Sequence, residues 1–325
     1  MRIVVVGAGA MGGVFGTRLA TAGNDVLLYD IWSEHVRAIE DGGIRIQGLD
    51  GTSVRYRVRA TDTPPPAIGA ADLILVQVKG PDTYGALSPF AGRIKPDAFV
   101  LSLQNGLGNL EQMRAALPGH DRILIGTTAH GAYILGPGRI RHAGKGLTVI
   151  GDPTVPQTPR FPINAIRNVL VSAGFDTQIA KNIHSAVWAK LVSNVAINPI
   201  SALTGLRNGQ LLDDPDLVAV VEQVVRETVA VMRAAAVPPT TDDFLAHVKK
   251  VMKDTDENIS SMLQDIRRGR RTEIDAINGA VARLGDELGV ATPVNQLLTI
   301  LVRNRERVAM REAQANGHGD GTGTS

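Results

Sequence analysis

The 325-residue sequence contains no cysteine. That excludes disulfides, thiolate metal sites and a cysteine nucleophile, and it leaves the compartment unmarked. The histidines are scattered, with no His–carboxylate spacing of a metal site, so no metal is expected. Charge is nearly balanced, at a formal net of +2, which gives no strong pull toward nucleic acid or an anionic membrane. No uninterrupted apolar stretch reaches about 18 residues, so no membrane span is expected. The N-terminus has one Arg, an apolar run and small residues, in the manner of a signal peptide. The glycine spacing that follows argues against cleavage there, and a cytoplasmic protein is the expectation. No heptad run marks an oligomer contact, although the helical half leaves a homodimer open.

What the chain does have begins at once. Arg2-Ile3-Val4-Val5-Val6 reads as a buried strand and runs directly into Gly7-Ala8-Gly9-Ala10-Met11-Gly12. This is the sequence form of a dinucleotide-phosphate cradle. Gly7 allows the tight turn, Gly9 lets the backbone approach a pyrophosphate, and Gly12 lets the next helix pack on its strand. The helix N-terminus presents free N–H groups to phosphate. A second strand over 25–30 ends in Asp30, 23 positions after Gly7. A carboxylate there can accept from the adenosine ribose hydroxyls and repel a 2′-phosphate, which favours NAD(H) over NADP(H). Arg37 could pair with a phosphate, so NADP(H) stays open.

The length favours two domains. Strands are predicted at 2–6, 25–30, 72–78, 98–103 and 122–127. Helices are predicted at 10–22, 33–41, 82–91 and 108–117. This alternation reads as an α/β, doubly wound, Rossmann-type domain. A hairpin over 44–58 turns at Asp50-Gly51, and a β-rich stretch over 132–150 turns at Gly136-Pro137-Gly138. A helix at 163–173 and a strand at 175–179 complete a first domain of residues 1–179. An all-helical domain follows over 180–314, with helices at 181–204, 213–236, 241–253, 272–289 and 293–312. Asn198-Pro199 should bend or break the first of these. Residues 315–325 read as a disordered tail. Substrate is expected in the cleft between the domains.

Several residues admit both a chemical and an ordinary reading. Lys79 sits at the C-terminal end of a parallel strand, where ligands bind in such sheets. Taken on its own it reads first as an ordinary solvated lysine at a strand end. Gln104-Asn105-Gly106 ends the next strand as a turn signal, or as an amide facing the nicotinamide. Lys190, Asn194 and Asn198 fall at i, i+4 and i+8 on one helix stripe, beside the apolar stripe Val187, Leu191 and Val195. Polar groups bordering a core need partners, and a 2-keto acid could supply them. A solvated helix face is the alternative. Glu273 suits a first helical turn without any function, and Ser260 and Ser261 suit a loop. His142 is a candidate acid or a structural residue. The basic run Arg267 to Arg271 is a solvated turn unless it draws in an anion.

Taken together, these residues resemble the ketopantoate reductase (2-dehydropantoate 2-reductase) family. The resemblance rests on Gly7 to Gly12, on Leu103-Gln104-Asn105-Gly106-Leu107-Gly108, and on Trp188-Ala189-Lys190-Leu191 with Asn194 and Asn198-Pro199. It also rests on Ser260 to Asp265 and on Thr272 to Gly279. It implies a Rossmann domain joined to a helical catalytic domain. Lys190 falls on the catalytic lysine and Glu273 on its partner. Asn105, Asn194, Asn198 and Ser261 fall on substrate contacts, and Lys79 on a lysine near the nicotinamide ribose. Asn105 is also expected against the cofactor.

The implied activity is reduction of ketopantoate to pantoate, for pantothenate synthesis, by hydride from a nicotinamide cofactor. The family default is NADPH, whereas Asp30 argues for NADH. An NAD-dependent D-2-hydroxy-acid dehydrogenase of the same superfamily is the first alternative. A nucleotide-sensing protein without turnover is the second. Gly80-Pro81 departs from the usual continuation after the lysine, so the loop there should differ in shape.

Overall fold

The computed structural model describes residues 1–154 and 160–318. They divide into two compact units. The first is Met1–Gln104 with Gly108–Ala186, and the second is Asn105–Leu107 with the chain from Val187 onward.

In chain order the first unit holds β1 (Arg2–Val6), α1 (Ala10–Thr21), β2 (Asp25–Tyr29), α2 (Ser33–Gly42), β3 (Ile44–Gln47) and β4 (Ser53–Tyr56). Then come β5 (Arg59–Thr61), β6 (Leu73–Val76), α3 (Thr83–Leu87), β7 (Phe99–Ser102), α4 (Asn109–Ala116) and β8 (Ile123–Thr128). The unit continues with β9 (Gly131–Gly136), β10 (Arg139–Gly144), β11 (Thr148–Gly151), α5 (Ile163–Ser172) and β12 (Thr177–Ile179). Eight strands form one sheet in the order β12-β11-β8-β7-β6-β1-β2-β5, and a four-stranded sheet runs β4-β3-β10-β9. The large sheet is parallel from β8 through β5, and β11 turns antiparallel to β8. Its central strands β6 and β7 are buried at every position, as a sheet covered on both faces requires.

The hairpin expected at 44–58 is β3 and β4, paired antiparallel from Ile44 opposite Tyr56 to Gln47 opposite Ser53. β5 has three residues, too few to show alternation, and no strand was predicted there. α1 packs against both sheets. A Cβ at Gly16 would meet the Leu28 side chain at 2.4 Å, and one at Gly13 would meet Ile140 at 2.3 Å. With apolar neighbours on opposite sides the helix is buried nearly all round.

The remaining helices are α6 (Ile183–Thr204), α7 (Pro215–Ala234), α8 (Phe244–Asp254), α9 (Ser261–Arg267), α10 (Asn278–Leu288) and α11 (Pro293–His318). From Val187 onward their residues belong to the second unit. Its core joins Trp188, Leu191 and Val195 of α6 to Val224 and Val231 of α7, Val281 of α10 and Val302 of α11.

Several expectations are corrected here. α6 runs through Pro199 without ending. Pro199 has no N–H for the Val195 carbonyl four residues back, and the Asn278 amide donates to that carbonyl at 2.9 Å instead. The helix expected from 272 starts at Asn278, because residues 273–277 close turns onto Glu273 and Ile274. The loop expected at Ser260–Ser261 instead starts α9, with Ser260 as cap: its Oγ accepts from Leu263 N–H at 3.1 Å. Such a cap contributes about 1 kcal/mol. α11 extends to His318, past its expected end at 312. The rest of the expected tail, 319–325, lies outside the described residues.

Candidate active site

The first candidate region is the loop between β1 and α1. Gly7 has φ of +96°, and a Cβ there would stand 2.6 Å from the Val78 nitrogen. A Cβ at Gly12 would fall 1.8 Å from the Gly7 carbonyl oxygen. Only glycine fits either place. At Gly9, by contrast, a Cβ would meet nothing within 4 Å. Gly9 is also the N-cap of α1, with no side-chain cap and no acid in the first turn. The space beside Gly9 at the start of α1 is therefore open, and a helix N-terminus without a side-chain cap fits a dinucleotide diphosphate.

Asp30, expected at the ribose, holds two backbone N–H groups. Its Oδ2 accepts the Ala8 N–H at 2.7 Å, and its Oδ1 accepts the Trp32 N–H at 3.0 Å. The carboxylate is thereby fixed at the end of β2, with further lone pairs for a ribose hydroxyl. Ile31 beside it is 83% exposed. Sequence reasoning missed His35, which is fully buried. Gly138 N–H donates to its Nδ1 at 3.0 Å, so the ring proton sits on Nε2 and points at the Ala8 carbonyl, 3.1 Å away. Burial pushes its pKa below the ordinary histidine value, with the Ala8 bond acting the other way. Both polar groups of Ala8 are thus held, one by Asp30 and one by His35. A histidine five residues after the strand's acid was the only sequence signal, and nothing in its spacing named a partner.

Lys79 lies three residues beyond the end of β6, not at the strand end as expected. It precedes the short turn Gly80–Asp82, where Pro81 stops the strand pattern. Gln104 braces that stretch, donating to the Val78 carbonyl at 2.7 Å and the Thr83 hydroxyl at 2.8 Å.

The second candidate region lies in the helical unit. Lys190 donates to Asn105 Oδ1 at 2.8 Å, and Asn105 Nδ2 donates to Glu273 Oε2 at 2.9 Å. Asn105 is thus a bridge, a role the sequence did not reveal. Its segment is held by Leu107 N–H on the Ala276 carbonyl at 2.8 Å. Gly106 lies so close that a Cβ would sit 2.2 Å from that carbonyl oxygen. The unwound turn before α10 is what frees the Ala276 carbonyl for this contact. Burial pushes the Lys190 ammonium down to about 8, while the Glu273 carboxylate acts to raise it.

Asn194 and Asn198 follow Lys190 at one-turn intervals on α6, as expected. Asn194 is half-buried and Asn198 buried. Among the described residues, neither side chain has a hydrogen-bond partner. Ser261 is exposed at the start of α9, and no side-chain bond ties it to the Lys190 cluster. His142 is buried in the first unit, stacked on His130 with ring nitrogens 3.1 Å apart, and so takes the structural reading. The basic run is surface: Arg267 caps the Gly205 carbonyl, and Arg271 lies 3.8 Å from Asp275. No cluster of three metal-ligating side chains occurs among the described residues, and no helix is long and apolar enough to cross a membrane.

A Rossmann-type unit with a glycine cradle, followed by a helical unit carrying a lysine–amide–carboxylate cluster, defines a class of two-part dinucleotide-binding proteins. Comparison with known proteins narrows this. Residues 3–154 match the family model "Ketopantoate reductase PanE/ApbA", and residues 182–306 match its C-terminal model. The 2-dehydropantoate 2-reductase of Halobacterium salinarum is 36% identical over 307 residues, covering 94% of this chain and 99% of that protein. Among solved structures, a PanE/ApbA family ketopantoate reductase from Ralstonia eutropha JMP134 matches at 34% identity. Its TM-score is 0.85, over 95% of this chain and 99% of that one. D-mandelate dehydrogenase in a ternary structure with NADH and anilino(oxo)acetate matches at 29% identity. Its TM-score is 0.87, with 95% and 99% covered. The chain belongs to the ketopantoate reductase family.

Proposed function

We propose that this protein reduces 2-dehydropantoate to pantoate, using a nicotinamide cofactor. The observation that carries this reading is the Lys190 ammonium, held on Asn105 within reach of the Glu273 charge and weakened by burial. The names of the curated relatives support the substrate. When bound, the cofactor supplies the hydride. Gly7, Ala8, Gly9, Ala10, Met11 and Gly12 hold its diphosphate, Asp30 the adenosine ribose and Lys79 the ribose next to the nicotinamide. As the keto oxygen gains negative charge, Lys190 hydrogen-bonds it and delivers the proton that completes the hydroxyl. The amine left behind regains a proton from solvent. Glu273 and Asn105 keep Lys190 aligned, while Asn194, Asn198 and Ser261 orient the substrate's hydroxyl and carboxylate.

Asp30 supports NADH as the cofactor, because its charge disfavours a 2′-phosphate. The same residue, together with the NADH-bound D-mandelate dehydrogenase neighbour, favours a second reading. In that reading the chain is an NAD-dependent D-2-hydroxy-acid dehydrogenase for a different 2-keto acid. Steady-state assays with NADH and NADPH against ketopantoate and a set of branched and aromatic 2-keto acids separate the two. Highest kcat/KM on ketopantoate supports the first reading. Highest kcat/KM on another 2-keto acid supports the second. Cofactor binding without turnover on any of them overturns both.

For a partner, the reading assigns a second copy of the chain. Along one side of α11, Leu297, Ile300, Leu301 and Val308 are each more than two-fifths exposed. In an antiparallel crossing centred on Asn304, Ile300 of one protomer meets Val308 of its partner, as a two-fold contact requires.

A further inference from the structure

The side chain of Asn278 is fully buried on the first turn of α10, outside the cluster described above. Its Nδ2 makes two bonds. One goes to the Val195 carbonyl of α6 at 2.9 Å, and the other to Asn295 Oδ1 of α11 at 3.0 Å. Asn295 Nδ2 in turn donates to Glu227 Oε2 of α7 at 2.8 Å. That carboxylate also takes the Val294 and Asn295 backbone N–H groups, at 2.9 and 3.0 Å, as the cap of α11. A single chain of hydrogen bonds thus crosses four helices and ends on one backbone carbonyl.

That carbonyl is the group a proline at 199 cannot serve. A proline inside a helix removes one ladder bond and destabilises the helix where nothing compensates. A buried unpaired carbonyl carries a further desolvation cost. Asn278 supplies the missing donor, and α6 continues through Pro199 as a helix. The stretch so held is the one bearing Asn194 and Asn198.

We infer that Asn278 is a positioning residue for the substrate-facing stripe of α6. It replaces the N–H that Pro199 lacks and fixes the turn that presents Asn198. Glu227 and Asn295 hold Asn278 in turn. The link to substrate rests on the reductase reading above, whereas the link between Asn278 and Pro199 is physical and independent of any substrate.

The test is a double-mutant cycle of Asn278→Ala and Pro199→Ala in the full chain. Thermal unfolding is read alongside kcat and KM for the keto acid and Kd for the nicotinamide cofactor. Alone, Asn278→Ala is expected to lower Tm and to cut kcat/KM by about tenfold or more, with cofactor Kd unchanged. In the double variant the backbone at position 199 regains an N–H for the Val195 carbonyl, so much of both losses returns. Should Asn278→Ala fail to fold, folding of the double variant gives the same answer. Equal losses with and without Pro199→Ala overturn the coupling. Coupling in Tm with no recovery of kcat/KM overturns the positioning role. If the unmodified protein turns over no 2-keto acid, the functional reading fails while the Tm cycle still decides the physical link.

Discussion

Lys190 donates to Asn105 Oδ1 at 2.8 Å, across 85 positions of sequence. The Asn105 amide then donates to Glu273, so one neutral side chain connects an ammonium to a carboxylate. This keeps the ammonium directed while burial lowers its affinity for the proton. A lysine near 8 transfers its proton more readily at neutral pH than one near 10.5.

The pH dependence follows with a definite sign. Reduction consumes a proton, so in the proposed mechanism the protonated Lys190 is the active form. The kcat/KM for reduction is expected to fall as pH rises through about 8, by about tenfold per unit in the limiting slope. Oxidation of the hydroxy acid should show the opposite limb. Glu273 acts to raise the Lys190 pKa. Glu273→Gln should therefore move the falling limb to lower pH, a shift that pH–rate profiles of the two proteins would reveal.

Asp30 holds the Ala8 N–H, and in the proposed function it also sets cofactor choice; one substitution can part the two. Asp30→Asn removes the charge that opposes a 2′-phosphate while retaining an acceptor for the Ala8 N–H. The ratio of kcat/KM with NADH to that with NADPH is expected to fall by about tenfold or more. An unchanged ratio would place cofactor choice elsewhere.

Gly106 is held at φ of +81°, with its α-carbon against the Ala276 carbonyl. Gly106→Ala is expected to cost more than about 1 kcal/mol of stability, because alanine is strained there and its Cβ has no room. The same change moves Asn105, so turnover should drop with it. Chemical denaturation paired with a turnover assay checks both.

Much of the fold could be read from the chain. Short apolar runs located β1, β2, β6, β7 and β8, and glycine and proline marked most turns. The misses share a cause. Pro199 was expected to bend or break α6, and that the helix does not end there was not legible because the rescuing amide, on Asn278, lies 83 positions from the Val195 carbonyl it serves. The same applies to the turn at 272–277, whose Ala276 carbonyl is claimed by Leu107. Within the site, the stripe of Lys190, Asn194 and Asn198 was legible because helical spacing is local. The bridging of Asn105, the double hold on Ala8 and the buried position of His35 are tertiary, and spacing carries no trace of them.

The exposed stripe of α11 gives a test of assembly. Light scattering coupled to gel filtration is expected to report a dimer, and Ile300→Glu to report a monomer with its fold intact. A monomer in the unmodified protein would leave the stripe without this partner.

The most direct test follows nicotinamide absorbance with ketopantoate, comparing the unmodified protein with Lys190→Ala and measuring cofactor Kd for each. Loss of the general acid should lower kcat by about 10²–10⁴-fold while cofactor Kd stays the same. Near-normal turnover in Lys190→Ala would contradict the assignment of Lys190 as the proton donor.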